Sequence, residues 1–125
     1  MRYLRRYENH EDIHSICREY NIKNYTINDD GSIDINHDQL STSESLYSLL
    51  KSRINKITGN FAINNIKLTS LIGCPRSVDG GFYCLHNKLI SLKGCPKSVG
   101  GNFNCRYNRI NTFEGLDFIH IGRIS

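Results

Sequence analysis

The sequence predicts an α+β solenoid, in which short turns of chain stack to form a parallel β-sheet on one face. Two observations lead to this fold class. The first is a 21-residue repeat, since LTSLIGCPRSVDGGFYCLHNK and LISLKGCPKSVGGNFNCRYNR follow one another from residue 68 to residue 109. The second is the F-x-C pattern in each unit, whose alternation is that of a short strand with one buried face. A repeat of this period is typical of solenoid proteins.

Stacking the units in register places apolar side chains in continuous inward columns. Phe61, Phe82 and Phe103 form the central predicted column. The other predicted columns are Ile63–Cys84–Cys105, Leu68–Leu89–Ile110, Leu71–Leu92–Phe113 and Val78–Val99. Asn87 and Asn108 follow the strand at a fixed offset, where an inward amide can bond backbone groups of neighbouring turns. The glycine pairs at 80–81 and 100–101 are expected to let the chain turn tightly into the strand.

The region before the regular repeats predicts an N-terminal cap. Apolar residues recur at helical spacing between Glu8 and Tyr20, which predicts a capping helix with one buried face. That face consists of Ile13, Ile16, Cys17 and Tyr20. The segment 25–27, Tyr-Thr-Ile, is expected to add a strand.

The first repeat unit is expected to be longer than the others. Aligning Ile35 with Ile63 implies a seven-residue insertion relative to the regular unit. Ser41 and Glu44 have the spacing of a capping box at the start of a helix over about 42–53. That helix would bury Leu46, Leu49, Leu50 and Ile54.

A chain of 125 residues is expected to form one domain. Residues 1–10 are a basic tail that is either flexible or becomes ordered on a partner, and 11–125 form a single repeat domain. Within it, 11–30 are the cap, 31–58 the longer first unit, 59–115 the regular repeats and 116–125 a partial repeat or cap. Ile119, Ile121 and Ile124 suggest a last strand. The edge of this strand either pairs with a second copy of the chain or is covered by the segment itself. The first case gives a dimer and the second a monomer, and the sequence allows both.

The repeat matches the pattern L-x-x-L-x-L-x-x-N-x-L, with Phe103, Cys105, Asn108 and Ile110 at the last four marked positions. On these residues the chain resembles leucine-rich-repeat proteins, and L-T-S-L…C-P-x-S-V is similar to their short bacterial class. From residue 12 onward it also resembles uncharacterised repeat proteins of large tailed phages and some bacteria. The resemblance implies a short leucine-rich-repeat-type array, encoded by a phage, that binds a host or phage protein. Blocking a host defence or regulatory protein is one specific version of that function.

The chain departs from the leucine-rich-repeat pattern in two units. Ile66 stands where the asparagine is expected, and Asp38 stands there in the first unit as aligned above.

Composition argues against a membrane or secreted protein. The chain is 38% hydrophobic, but no apolar run approaches the ~20 residues of a membrane span. The N-terminus lacks the apolar stretch of a signal peptide. A cytoplasmic location is therefore predicted, which is the host cytoplasm for a phage-encoded chain. The net charge of +4 is compatible with an acidic partner but does not require one.

The residues that could carry chemistry favour a non-enzymatic protein without metal or cofactor. The five cysteines include no C-x-x-C pair and occupy repeat positions, so core packing is favoured over a disulfide or a metal site. His10 and His14 have metal-ligand spacing but are expected to be exposed to solvent. The segment 29–32, Asp-Asp-Gly-Ser, lacks the spaced ligands of a calcium loop and favours a turn.

The outward residues of the repeats form the candidate partner-binding face. Lys67, Lys88 and Arg109 recur at one position and predict a basic column. The other candidate residues are Tyr83, Leu85, His86, Asn104, Arg106 and Tyr107. Solenoids bind partners on such extended faces, and Tyr and Arg are enriched in binding hot spots. The alternatives are that the column only keeps the surface soluble, that it binds nucleic acid, or that the chain is a virion-associated structural protein addressed by its basic tail.

Overall fold

The computed structural model describes residues 12–112, residue 114 and the backbone of residues 120–124. Its helices are α1 over residues 12–19 and α2 over Glu44–Leu50. Its strands are β1 Tyr25–Ile27, β2 Ile33–Ile35, β3 Gln39–Ser41, β4 Ile54–Ile57, β5 Asn60–Ala62, β6 Ser77–Val78, β7 Phe82–Tyr83, β8 Ser98–Asn104 and β9 His120–Ile124. Together they form a small β-solenoid of about three turns with a mostly parallel sheet. Neither helix is long and apolar enough to cross a membrane.

Each turn contributes two short strands to the sheet. One column of parallel strands is β2, β4 and β6, and the other is β3, β5 and β7. Strand β8 belongs to both columns, since its first residues pair with β6 and its last residues pair with β7. Strand β1 joins the sheet antiparallel to β2. The predicted parallel sheet is confirmed, but β4 and β6 of the first column were not predicted as strands.

The phenylalanine column lies at the centre of the core. Phe61 pairs in register with Phe82, and Phe82 with Phe103, and all three are at most 1% exposed. Their ring centroids are separated by 6.2 Å and 5.1 Å. Most of the other predicted column residues are also buried, namely Ile63, Leu71, Val78, Cys84, Leu89, Leu92 and Val99. The partly buried ones are Leu68, Cys105 and Ile110, and Phe113 lies outside the described residues.

The glycine pairs allow close stacking of turns, and only the first pair lies at the predicted turn, since the chain bends at residues 79–80 before β7. A Cβ atom on Gly80 would lie 2.7 Å from the carbonyl carbon of Gly59, and one on Gly100 would lie 2.1 Å from the carbonyl oxygen of Asp79. Neither Gly80 nor Gly100 has a positive φ, and β8 continues through residue 100 as extended chain. Glycine is therefore needed here because a side chain would strike the preceding turn.

The first turn stacks without the predicted seven-residue insertion. Leu40 pairs with Phe61, which lies one 21-residue period further along the chain. Ile35 pairs with Ile57, and this separation is one residue longer than the period. Ile35 is therefore in the column that continues to Val78, and its alignment with Ile63 was wrong. The length of the repeat is preserved because α2 replaces the loop found in the later turns.

A shift in register absorbs the one extra residue of this turn. It lies between Ile33 and Asp34, where the pairing of β2 with β4 changes its offset by one. Asp38 accordingly precedes β3, and its carbonyl oxygen accepts a hydrogen bond from the amide of Asn60 at 2.9 Å. The predicted placement of Asp38 in the asparagine column was wrong for the same reason.

Helix α2 begins two residues later than the predicted capping box. Ser43 is its N-cap, with its Oγ accepting a hydrogen bond from the amide of Leu46 at 3.1 Å, whereas Ser41 belongs to β3. The predicted burial of Leu49 was also wrong, since this side chain is 43% exposed. The helix buries Leu46, Tyr47 and Leu50 instead.

Helix α1 packs its predicted face into the same core. Ile13, Ile16 and Cys17 are buried and Tyr20 is partly buried. His14 is half-buried, with its Nδ1 2.5 Å from the Tyr25 hydroxyl, so its predicted solvent exposure was wrong. Asp12 forms an ion pair at 3.3 Å with Arg53, the residue preceding β4. The predicted start of the helix, and with it His10, lies outside the described residues.

The predicted last strand is present in the backbone as β9, which pairs in parallel with β8. Arg123 pairs with Asn102, which lies one 21-residue period earlier in the chain. His120 pairs with Ser98, and this separation is one residue longer than the period. A register shift within β8 accommodates the difference. Ile119 and the basic tail of residues 1–10 lie outside the described residues.

Two inward asparagines bond the backbone of neighbouring turns, as predicted. The Asn87 amide nitrogen donates to the carbonyl oxygens of Ile63 at 2.9 Å and Cys84 at 3.1 Å. Its Oδ1 accepts from the amides of Ile66 at 3.0 Å and Leu68 at 3.1 Å. A single buried side chain therefore pairs backbone groups of two turns that would otherwise lack partners.

Asn108 repeats these contacts one turn later. Its amide nitrogen donates to the carbonyl oxygens of Cys84 at 2.9 Å and Cys105 at 3.0 Å, and its Oδ1 accepts from the amide of Leu89 at 3.1 Å. Asn108 differs from Asn87 mainly in being only half-buried.

We expect Asn87→Ala to destabilise the protein more than Asn108→Ala. Losing the Asn87 amide leaves several backbone groups unpaired inside the core, which costs about 2–4 kcal/mol. At Asn108 water can bond part of the backbone groups that the substitution leaves unpaired, so a loss of about 1–2 kcal/mol in the free energy of unfolding is expected. Urea unfolding of both variants measures the difference. Equal losses at the two positions would contradict the difference in burial.

We expect Phe82→Asp to prevent folding, because it places an unpaired charge in the middle of the phenylalanine column. Phe82→Leu is the control, and should remain folded at a cost of about 1–2 kcal/mol. Far-ultraviolet circular dichroism and thermal unfolding distinguish the two variants. A cooperative thermal transition in the Asp variant would mean that residue 82 is not in the core.

Candidate functional site

The basic column lies in the turns that follow the second strand column. The Lys88 amide donates to the carbonyl oxygen of Leu68 at 2.7 Å, and the Arg109 amide donates to that of Leu89 at 2.8 Å. The acceptors Leu68 and Leu89 directly follow Lys67 and Lys88 in the chain. Lys67, Lys88 and Arg109 therefore occupy neighbouring turns. All three side chains are exposed. We refer to Lys67, Lys88 and Arg109 as the basic ladder.

An open groove of about 380 Å³ brings five of the nine predicted residues together. Besides the basic ladder, His86 and Tyr107 line it. The lining also includes Asn65, Asn87 and Asn108, which were not among the candidates. The 21-residue period already related Asn65 to His86 and Tyr107, so that signal was available in the sequence.

His86 and Tyr107 form an aromatic stack on this groove. Their ring centroids are 4.3 Å apart and their planes differ by 6°, while Tyr107 is 64% exposed. Both residues have a left-handed backbone, with φ of 55° and 62°, and Asn65 has 54° at the same repeat position. Asn and His tolerate this conformation, whereas a Tyr adopts it at a cost that glycine would avoid. Non-glycine residues in such conformations are concentrated at functional sites.

Four predicted residues flank the groove without lining it. Tyr83 and Asn104 pair in register on β7 and β8. Tyr83 lies over the backbone of Gly81, where an added Cβ would come within 2.5 Å of its hydroxyl oxygen. The other two flanking residues are Leu85 and Arg106, and asparagine side chains bond their backbone amides. Asn64 Oδ1 accepts from the Leu85 amide at 2.8 Å, and Asn104 Oδ1 accepts from the Arg106 amide at 3.1 Å.

The acidic side chains of the described chain form their ion pairs elsewhere. The three ion pairs among described residues are Arg53–Asp12 at 3.3 Å, Lys56–Asp79 at 3.5 Å and Arg76–Asp30 at 3.6 Å. Within these residues, no ion pair neutralises the basic ladder or Arg106. Like charges on neighbouring turns repel one another, so the ladder presents a net positive surface.

Arg76, on another face of the repeat, is the end of a polar network. It pairs with Asp30 and also donates to Asn55 Oδ1 at 3.3 Å. Asn55 in turn donates to Asp34 Oδ1 at 2.8 Å. Arg76 therefore differs from the cations of the basic ladder, because it is tied to acidic and amide groups of earlier turns, whereas no acid of the described residues pairs with the ladder.

The segment 29–32 forms a turn, as favoured from the sequence. Asp30 Oδ1 accepts hydrogen bonds from the Ser32 amide at 2.9 Å and the Ser32 hydroxyl at 2.6 Å. These bonds, helped by the charge of Arg76, hold the pKa of the Asp30 carboxyl below its usual value. No group of His, Cys, Asp and Glu side chains within the described residues could hold a metal ion.

The cysteines are free thiols that pack as apolar side chains. Burial raises the pKa of Cys74 to about 12 and that of Cys95 to about 11, and it raises the pKa of Cys84 further. Cys74 Sγ also lies 3.4 Å from the Tyr47 hydroxyl inside the core. Cys105, at the top of its column, is half-buried. Core packing of the repeat cysteines is thus confirmed, and thiolate chemistry near neutral pH is disfavoured.

We expect an alkylating reagent at pH 8 to label Cys105 at least about tenfold faster than Cys84. The reason is that a reacting thiol must be exposed and ionised, and burial opposes both at Cys84. Mass spectrometry of native protein measures the rates, and protein unfolded in urea gives the reference in which all five cysteines react. Equal rates in the native protein would show that the turn carrying Cys84 opens readily.

Comparisons with known proteins do not identify the chain: no family model, no curated protein and no solved structure matches it.

Proposed function

We propose that the protein is a non-enzymatic protein-binding module that uses the groove of the basic ladder and the aromatic stack. The observation that carries this proposal is the combination of repeated cations, which no acid of the described residues neutralises, with an exposed aromatic pair in one groove. Neither group contributes to the core, whose columns are complete without them. Tyr and Arg are the residues that most often dominate binding energy at interfaces.

The type of repeat and the phage origin of the chain are part of the same proposal. The spacing around Phe103, Cys105 and Asn108 resembles a leucine-rich repeat, and the unit as a whole resembles repeat proteins of large tailed phages and bacteria. On that basis we propose a phage-encoded protein that acts in the host cytoplasm on a host defence or regulatory protein. Helix α1, which buries Ile13 and Cys17 beside the first strands, would serve as the N-terminal cap.

Nucleic acid is the second candidate partner, and the basic ladder is the observation that favours it. Binding through the ladder would neutralise phosphates and would therefore weaken steeply as salt rises. Retention on single-stranded DNA or RNA at low salt, lost when the ladder is reversed, would support this alternative over a protein partner.

We expect charge reversal of the basic ladder to abolish capture of a protein partner. The variant is Lys67→Glu with Lys88→Glu and Arg109→Glu, which lowers the net charge from +4 to −2 because each change removes two charges. Reversal repels an acidic partner and leaves the core intact, so the fold should be unaffected. The measurement is affinity capture from bacterial lysate with quantitative mass spectrometry.

A matched control separates this face from overall charge. Lys51→Glu with Lys93→Glu and Lys97→Glu gives the same net charge from exposed lysines that do not line the groove. The proposal requires one protein that wild type and the control retain and the ladder variant loses. Identical capture by all three proteins would mean that the ladder is only a solvated surface.

A further inference from the structure

We infer that the partner presents an acidic α-helix to the basic ladder, with carboxylates at positions i, i+3 and i+7 facing Lys67, Lys88 and Arg109. This inference rests on the proposed function and names the chemistry of the partner surface. Three features of the groove carry it, namely the pitch of the ladder, the missing counter-charges and the arrangement of the aromatic stack.

The pitch of the ladder fits the spacing of side chains on one face of a helix. Neighbouring parallel turns are about 4.8 Å apart, so the three cations are anchored over about 9.6 Å. Positions i, i+3 and i+7 of an α-helix rise by about 4.5 Å and 10.5 Å and lie on one face. Alternate residues of an extended strand rise by about 6.8 Å and 13.6 Å, which overshoots the third cation by about 4 Å.

The part of the chain that the structure describes supplies no counter-charge to the ladder, which indicates that a ligand completes it. Lys67, Lys88 and Arg109 repel one another across neighbouring turns, which opposes folding. Arg76 shows the alternative available to this fold, since its guanidinium is paired with Asp30. Within the described residues no acid plays that part for the ladder. Carboxylates from a partner would remove the repulsion, and the gain would be largest at low salt.

The aromatic stack favours a helix over a nucleic acid. Non-specific binding of single strands uses several aromatic platforms, each free to stack one base. Here the His86 and Tyr107 rings are stacked on each other with planes only 6° apart, so each ring already gives one face to the other. The pair instead forms an aromatic surface beside Lys88 and Arg109, against which aliphatic side chains flanking an acidic stripe can pack.

The test compares two synthetic helical peptides of identical composition. Both are alanine-rich and capped, and both carry three glutamates, at i, i+3 and i+7 in one and at i, i+1 and i+6 in the other. The second arrangement distributes the same charge around the helix. Fluorescence anisotropy of labelled peptides at about 0.05 M salt should show tighter binding of the striped peptide, by about tenfold. Lys67→Gln with Lys88→Gln and Arg109→Gln should remove the preference, and the same changes at Lys51, Lys93 and Lys97 should retain it.

Each remaining outcome overturns the inference. Equal binding of the two peptides would show a diffuse positive surface with no helical register, and no binding of either would show that the ladder does not recognise carboxylates in this geometry. Tighter binding of a twelve-nucleotide single-stranded DNA than of the striped peptide would assign the groove to nucleic acid. The peptide test can fail while lysate capture still yields a protein that depends on the ladder. That combination would retain the proposed function and reject only the helical form of the partner.

Discussion

Hydrogen bonds between backbone groups one repeat unit apart are the constraint on which the rest of this structure depends. They join Phe61 to the turn of Phe82 and that turn to Phe103, so a change in unit length must be absorbed by a register shift, as it is beside Ile33, for the later strands to pair. The phenylalanine column, the inward asparagines and the close glycine contacts are all consequences of this register. So is the basic ladder, because a surface residue that recurs once in every unit must recur on neighbouring turns.

The regular turns could be predicted from the sequence because the core residues are nearly identical from unit to unit. Phe82, Asn87 and Val78 were assigned to the core correctly on that basis. The first turn could not be aligned by identity, since Ile35 matches Ile57 and Ile63 equally well as an apolar residue. The structure decides between them through the register shift beside Ile33, which no sequence pattern displays.

The groove was predictable in position but not in detail. Period alone places Lys67, Lys88 and Arg109 on neighbouring turns, and the structure brings them into one groove. Period does not reveal that His86 and Tyr107 adopt a left-handed backbone or that their rings stack 4.3 Å apart. Nor does it reveal which cations find acidic partners, because Asp12, Asp30 and Asp79 do not recur at one repeat position.

The constant separation of bonded residues also shapes how the chain would fold. Each new turn closes a loop of about the same length, so the entropic cost of adding a turn is nearly constant along the array. A nucleus of two stacked turns can then grow by one turn at a time, in the manner of a one-dimensional lattice. The middle turn around Phe82 contacts a neighbour on both sides, whereas terminal turns contact only one. Folding of this chain is therefore most sensitive at its centre, and its ends are the parts that evolution can lengthen or shorten with the least disturbance.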